Sequence, residues 1–401
     1  MQIHSLRLQN FRNYQDQLLE AVPGDNILLG RNAQGKTNIL EAIYILSSAR
    51  SHRTGKDSEL IRQGSDFYRL ELKFSGQRGA DQELLFFYQD LEKNADREII
   101  RNISPGRRKR REIYYQGQKL ERISDLFGLF QAVIFAPEDL QLIKGSPSER
   151  RRYIDLLLTK LSHHYFINLQ EFQRILQERN RLLKKARGGI NQFLELELEI
   201  WTEKLLSAGA KIIKERVDNL LDLEQYAAAA QAIFSDNQEK LKISYSGFQR
   251  FTAEASLEDI QEAYKLRLKR SLAEDIVKGS TSYGPQRDDL ELELNGLPAK
   301  NYASQGQQRS LALALRIAEL KLIAERTGEK PVLLLDDVLS ELDDKRRQAL
   351  FEAIQSEQVF LSCADNKQAL IACTALQNQD SKEGKHRCAL FEVKSGSLSP
   401  I

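Results

Sequence analysis

The chain has 401 residues, 41% of them hydrophobic and 29% charged, with 59 Lys/Arg against 57 Asp/Glu. That composition allows two domains, or one large domain carrying an insertion, and excludes wholesale disorder. The longest apolar stretches, such as Pro331 to Leu335, fall far short of the roughly 20 residues a membrane span needs. The N-terminus lacks the cationic start and apolar run of a secretory signal, so a cytoplasmic protein without a membrane partner is expected. Cys363, Cys373 and Cys388 form no CxxC pair, which argues against a disulfide framework and a zinc knuckle. His163 and His164 stand in a helical pattern, where neighbours point about 100° apart and chelate poorly.

In chain order, Ile3, Leu6 and Leu8 read as a strand, followed by the turn-prone FRNY and the short apolar run Asn26 to Leu29. Past Thr37 the apolar positions Ile39, Leu40, Ile43 and Leu46 have helical spacing. Residues 68 to 120 alternate as a meander. From Ser148 the spacing turns helical and is predicted to run to Gly188-Gly189; a second long helix is predicted from about Ile190 to Ala232. Two long helices joined by a Gly-Gly turn make an antiparallel hairpin. Strand character returns in KLKISYSG. A helix over roughly Ser256 to Lys278 then leads into the turn-rich GSTSYGPQRDD. The remainder alternates strand and helix: DLELELNG, Ser304 to Arg326, Val332 to Leu335, Asp344 to Gln355 and VFLSC. That alternation is a βαβ signature.

Charge is unevenly distributed. Residues 101 to 190 hold 19 Lys/Arg and 9 Asp/Glu, a balance of +10, and the rest of the chain balances at −8. The clusters are Arg107, Arg108, Lys109, Arg110 and Arg111; Arg150 to Arg152; and Arg179, Arg181, Lys184, Lys185 and Arg187. Such a bias points to a polyanion, since nucleic-acid binding rests on phosphate neutralisation. A solvated basic face without a partner would have the same composition. Arg107 to Arg111, Lys184 and Lys185 are the candidate DNA contacts.

Gly30-Arg31-Asn32-Ala33-Gln34-Gly35-Lys36-Thr37 fits G-x-x-x-x-G-K-[ST] at every defined position. Glycines let successive N–H groups converge on a phosphate, Lys36 brings charge to its β and γ oxygens, and Thr37 offers a hydroxyl to Mg²⁺. An apolar strand before the motif and an amphipathic helix after it complete the context. ATP and Mg²⁺ are the expected cofactors. The acidic partner is expected at Val332 to Asp337, an apolar strand ending in an exposed carboxylate. Asp336 is the candidate metal residue, and Asp337 the candidate that orients or deprotonates the attacking water.

Three hundred positions separate Lys36 from Asp336, so the nucleotide-binding sheet is predicted to be split by a long insertion. Ser304-Gln305-Gly306 precedes an Ala/Leu-rich helix, and Ser340-Glu341-Leu342-Asp343 follows Asp337. This order resembles ABC-type ATPase heads: phosphate loop, insertion, signature, acidic strand end and D-loop. In that class Ser304 and Gly306 of one subunit would cover the γ-phosphate held by another, which implies a head-to-tail homodimer. Ser340 and Asp343 would lie at the dimer contact.

LRLQNFRNY, SARSHRTGKDSELIRQG, the segment from Pro137-Glu138-Asp139 through Gly145-Ser146-Pro147 to Arg150-Arg151-Arg152-Tyr153-Ile154-Asp155, and LLLDDVLSELD together resemble the RecF family along essentially the whole chain. The resemblance implies an α/β, ABC-type P-loop ATPase head split by an inserted helical-hairpin arm, as in SMC heads. The expected partition is 1–147 and 241–401 for the two halves of the head and 148–240 for the arm, which extends at most to about 278. It implies a slow, DNA-stimulated ATPase that dimerises on ATP and binds gapped, single-stranded or duplex DNA. It also implies that the protein promotes recombinase loading with RecO and RecR, in replication, repair and the SOS response. Gln141 is the residue assigned to sensing metal and γ-phosphate. Asp337 stands where many ABC heads carry glutamate, and VFLSCAD has no switch histidine; Ser362 and Asp365 are the alternatives there. The other reading is a head acting in a different DNA-processing complex. An ABC transporter subunit is disfavoured by the basic segment and the missing histidine.

Overall fold

The computed structural model describes residues 1–92, 109–354, 356, 358–377 and 387–401. The chain divides into two compact units: Met1–Asp139 with Glu319–Ile401, and Leu140–Ala318.

The first unit opens with β1 (Gln2–Phe11), β2 (Tyr14–Glu20) and β3 (Gly24–Leu29), followed by α1 (Lys36–Ser48). Next come β4 (Phe67–Gly76), β5 (Gly79–Asp90), β6 (Lys109–Tyr115), β7 (Gln118–Lys119) and β8 (Ala132–Phe135). β2-β1-β4-β5-β6-β7 form an antiparallel sheet. The alternation in YRLELKF explains it: Tyr68, Leu70, Leu72 and Phe74 point inward, as a period of two requires.

The second unit begins with the short helix α2 (Leu140–Lys144), then α3 (Pro147–Leu161), α4 (His163–Ala186) and α5 (Gln192–Phe234). The first long helix predicted from the sequence is broken at Ser162, whose extended backbone and side chain cap α4 by accepting from the Tyr165 N–H. Gly189, with φ 117°, supplies the turn into α5, where Asn191 caps through its side chain. Then come β9 (Leu241–Ser246), α6 (Leu257–Lys278), β10 (Asp289–Leu294), β11 (Leu297–Pro298), α7 (Ala299–Tyr302) and α8 (Gln305–Thr327). α6 has a full capping box, Ser256 with Asp259, and ends in left-handed Gly279. Leu272 and Ile276 of α6 pack on the hairpin core of Leu182, Leu183 and Leu198.

α8 carries the chain back into the first unit, which closes with β12 (Val332–Leu335), α9 (Asp344–Ala353), β13 (Gln358–Cys363), α10 (Asn366–Gln377), β14 (Arg387–Lys394) and β15 (Ser397–Pro400). The second sheet runs β15-β14-β3-β13-β12-β8, parallel except for β15. β8 and β12 are continuous, fully buried apolar runs because both faces of the sheet are covered there. One core gathers α1 with the inward residues of both sheets, including Leu70, Phe86, Leu28, Ile134, Leu334 and Phe360. Truncating one such buried leucine or phenylalanine to alanine costs about 2–5 kcal/mol.

Candidate functional site

The phosphate loop lies at the carboxyl end of β3, the place where open α/β sheets bind ligands. β3 lies between β13 and β14, so the carboxyl ends of the chain's late strands surround its first helix. Gly35 has φ 122°, and a Cβ there would lie 2.7 Å from the Tyr14 hydroxyl. A Cβ at Gly30 would come within 2.4 Å of the Val393 carbonyl oxygen. Both glycines are therefore demanded by close approach, and Gly35 by its positive φ as well. The loop is braced on two sides. The Gln34 carbonyl accepts from Asn13 Nδ2 (2.8 Å) and from the Gly396 N–H (3.1 Å). The Gln34 side chain accepts from the Ser395 N–H (2.7 Å). Asn13 Oδ1 accepts from Asn38 of α1, and the Gly30 N–H donates to the Cys363 carbonyl.

Lys36 is 8% exposed. Its ammonium donates to the Gly30 and Arg31 carbonyls, at 2.5 and 2.9 Å. Burial pulls its pKa below the usual lysine value, while Asp337 and Asp336 oppose that shift. Thr37 Oγ1 donates to Asp336 Oδ1 at 2.9 Å. Arg31, Asn32 and Ala33 are exposed, and Ala33 takes a left-handed φ of 64°.

Asp336 was expected to be exposed, and it is not: it retains 4% of its accessible surface, because β8 and β13 flank the strand it ends. Burial holds its carboxyl above the usual range, against hydrogen bonds from Ser362 and Thr37. Ser362 joins the two acidic residues, donating to Asp336 Oδ1 (2.9 Å) and accepting from the Asp337 N–H (2.8 Å). Asp365 instead accepts from the Gln368 N–H at the start of α10. Of the two alternatives to the missing histidine, Ser362 is therefore the one bonded to the acidic pair. Asp337 has a left-handed φ of 50°, and its carbonyl accepts from Ser340 Oγ (2.8 Å). Asp343 caps α9 through the Arg346 N–H.

A hydroxyl and a buried carboxylate converging at a phosphate loop are the hard oxygen donors Mg²⁺ takes, the rest of its shell being phosphate and water. Among the described residues no cluster of three His, Cys, Asp or Glu offers an all-protein metal cage.

Sequence reasoning did not single out Arg53. It donates to Asn38 Oδ1 (3.2 Å) and pairs with Glu41 (3.7 Å) and Glu138 (3.9 Å). Glu41, wholly buried in α1, also takes a two-pronged bond from Arg12. Only its place within a family-like stretch could have flagged Arg53.

Gln141, Ser304 and Gly306 belong to the second unit. Gln141 is exposed on α2. Ser304 is exposed at the start of α8, where its N–H donates to Gln307 Oε1 (2.7 Å) and its hydroxyl accepts from the Gln307 N–H.

The basic clusters are partly structural. Arg107 and Arg108 lie outside the described residues. Arg111 is turned inward over the Phe86 ring (4.8 Å) and bonds the Ala49 carbonyl. Lys109 faces Asp90 and Glu92, and Arg110 pairs with Glu112. Arg150 is buried on Asp289, and Arg179 on Asp275. Lys184 and Lys185 are exposed. Among the described residues no helix is long and apolar enough to cross a membrane.

The chain matches the family model for the RecF/RecN/SMC N terminal domain over residues 2–396. DNA replication and repair protein RecF of Lachnoclostridium phytofermentans is 39% identical over 363 residues, 90% of this chain and 92% of that one. Its counterpart in Staphylococcus carnosus is 34% identical over 398 residues, 99% of this chain and 100% of the other. A solved structure of the recombination mediator protein RecF-ATP in the RecFOR pathway is similar at a TM-score of 0.84 and 34% identity, covering 100% of this chain and 97% of that chain. The Smc head domain of Pyrococcus furiosus, at 15% identity and a TM-score of 0.52, covering 100% of this chain and 96% of that chain, shares the fold. With an SMC-like, ABC-type ATPase head and these identities over nearly its full length, the chain belongs to the RecF family.

Proposed function

We propose that this protein is an ATP-driven switch of recombinational DNA repair. It binds Mg-ATP at Gly30 to Thr37, pairs with a second copy around the nucleotide, holds DNA at gaps or junctions, hydrolyses ATP slowly and promotes recombinase loading together with RecO and RecR. The observation that carries the reading is the convergence of Lys36 and Thr37 with the buried Asp336 at the end of β3. Its supports are the ATP-bound state of the related RecF structure and that relative's place in the RecFOR pathway.

The chain's own residues have distinct tasks in this reading. Lys36 exchanges two neutral carbonyls for phosphate oxygens, which adds the attraction of opposite charges to its hydrogen bonds. N–H groups of the braced loop cradle the β-phosphate. Thr37 and Asp336 would hold Mg²⁺, which when bound neutralises charge on the β and γ oxygens. Asp337 orients the attacking water; an aspartate reaches one methylene less far than glutamate, in keeping with slow turnover. Ser362 holds Asp336 and Asp337 in register, and Gln141 senses the bound phosphate. Ser304 and Gly306 present a helix N-terminus to the γ-phosphate of the partner copy, with Ser340 and Asp343 at the contact. Lys109, Arg110, Lys184 and Lys185, with Arg107 and Arg108, supply DNA-directed charge.

The test is light scattering of the full chain with and without Mg-ATP, alongside phosphate release with and without gapped DNA. ATP is expected to convert monomer to dimer, and Asp337→Asn to keep the dimer while stopping phosphate release. A chain that stays monomeric when saturated with ATP overturns the switch.

A further inference from the structure

The turn-rich segment Gly279 to Asp288, between α6 and β10, has no task in the reading above. It is irregular chain, yet side chains from four helices hold it. From α4, Arg179 donates to Thr281 Oγ1 (2.6 Å) and pairs with Asp275 of α6 (3.0 Å). The other Asp275 oxygen accepts from the Ser282 N–H (2.9 Å), and Asn180 accepts from the Thr281 N–H (2.8 Å). From α5, Arg216 donates to the Pro285 carbonyl (2.8 Å). From α3, Arg151 donates to the Asp288 carbonyl (2.7 Å). Tyr264 of α6 donates to the Tyr283 carbonyl (3.2 Å). Arg179 and Arg216 are 0% and 2% exposed.

Desolvating a guanidinium costs several kcal/mol, and a buried ion pair seldom returns more than that. Arg179 bonds the loop directly, and Arg216, whose ion pair is with Asp155 of α3 (2.8 Å), adds one bond to it; groups buried at such cost serve local shape rather than net stability. Loops held rigidly by a scaffold are the ones that present functional groups. Here the inward charges are matched: Asp275 takes Arg179, and buried Asp288 accepts from Tyr245. The outward charges are positive. Arg287 is exposed; its N–H donates to the Gly284 carbonyl (2.8 Å), and its guanidinium has no hydrogen bond or ion pair among the described residues. Arg267 is half-buried and lies over the Tyr283 ring at 3.6 Å, its Nε buried and without a hydrogen-bond partner among the described residues. Lys184 is exposed on the α4 face shared by Asn180, which binds Thr281, and Arg187, which donates to the Val277 carbonyl. These cations stand at the entry, middle and exit of the loop. Spaced cations suit a polymer of phosphates better than a single anion, and an arginine on an aromatic ring is a common element of nucleic-acid surfaces.

We infer that the held loop Gly279–Asp288 is a DNA-contacting surface, with Arg287 neutralising a backbone phosphate and Arg267 and Lys184 continuing the track. This rests on the DNA-binding part of the proposed function. The test is fluorescence anisotropy of the full chain with ATP on a labelled gapped duplex across a salt series. With about 0.9 counterion released per contact, Arg287→Ala should weaken binding roughly fifteenfold at 50 mM salt and about fivefold at 150 mM, with the log–log slope smaller by about 0.9. Arg287→Lys should keep the parent slope. Lys242→Ala, which removes an exposed charge on β9, should change neither. Unchanged affinity in Arg287→Ala overturns the inference, as does an equal loss in Arg287→Lys or in Lys242→Ala. Failure of the parent to bind DNA overturns the underlying reading and this surface together.

Discussion

The hydroxyl of Thr37 donates to Oδ1 of Asp336 at 2.9 Å, joining residues 299 positions apart. Removing the hydroxyl leaves a buried carboxylate with one donor fewer and takes an oxygen from the proposed metal position. Thr37→Val is expected to lower affinity for Mg-ATP at least about tenfold while leaving metal-free ATP binding within about twofold. Thr37→Ser should behave as the parent. Titration calorimetry with and without Mg²⁺ distinguishes these outcomes.

Lys36 has only carbonyls as partners within the loop, so its replacement breaks no ion pair. Lys36→Ala should retain the melting temperature within a few degrees, yet lose roughly 10- to 100-fold in ATP affinity, the worth of a hydrogen bond to a charged group. ATP-driven dimerisation, read by light scattering, should disappear. Dimerisation at the parent's ATP concentration would sever the phosphate loop from subunit pairing.

Asp336 allows a prediction about pH. Burial raises its carboxyl above the unfolded value, so the native state keeps the proton to higher pH than the unfolded chain does. The stability this group contributes is complete at low pH and is lost as pH rises through the folded pKa. Asparagine cannot titrate. The melting temperature of Asp336→Asn minus that of the parent should therefore grow as pH rises above the ordinary aspartate pKa of about 4, without nucleotide. A difference independent of pH would mean that the buried carboxylate carries no such penalty.

Asn13 braces the phosphate loop with both ends of its amide, through the Gln34 carbonyl and Asn38. Asn13→Ala should weaken ATP binding about fivefold, a net hydrogen bond of about 1 kcal/mol. Asn13→Asp should cost more, because it loses the donor and adds negative charge near the phosphates. Equal affinities for all three proteins would make the brace irrelevant to nucleotide.

The Arg179–Asp275 pair is wholly buried. Arg179→Ala strands the aspartate and should destabilise the protein by about 3–5 kcal/mol in urea titration, whereas the double variant Arg179→Met with Asp275→Leu should recover most of the loss. A loss under about 1 kcal/mol in the single variant would show that water reaches the pair.

Much of the site was legible residue by residue. The loop from Gly30 to Thr37 and the strand ending in Asp336 carry their chemistry in contiguous letters, as do the caps at Ser256 and Gly279. Other features were misread for a common reason. Arg150 and Arg179 stand in basic runs that say nothing of their partners, and acidic residues 139 and 96 positions away neutralise them. Asp336 looks like an exposed strand end until neighbouring strands cover it. The break at Ser162 interrupts a stripe that continues on both sides, so apolar periodicity alone runs through it.

The sequence by itself determined that a phosphate-loop motif exists, that a strand ending in a carboxylate lies far downstream, and that a helical insertion separates them. Only the tertiary structure decided that Ser362 joins the Asp336 carboxylate to the Asp337 N–H, that Asn13 and Ser395 brace the loop, and which arginines face inward. The physical reason is range. A phosphate cradle is made by neighbouring N–H groups along one turn of chain. The partners of Asp336 and Arg179 are set by strand order and helix packing, which place β3 between β13 and β14 although the chain makes those strands more than 300 residues later.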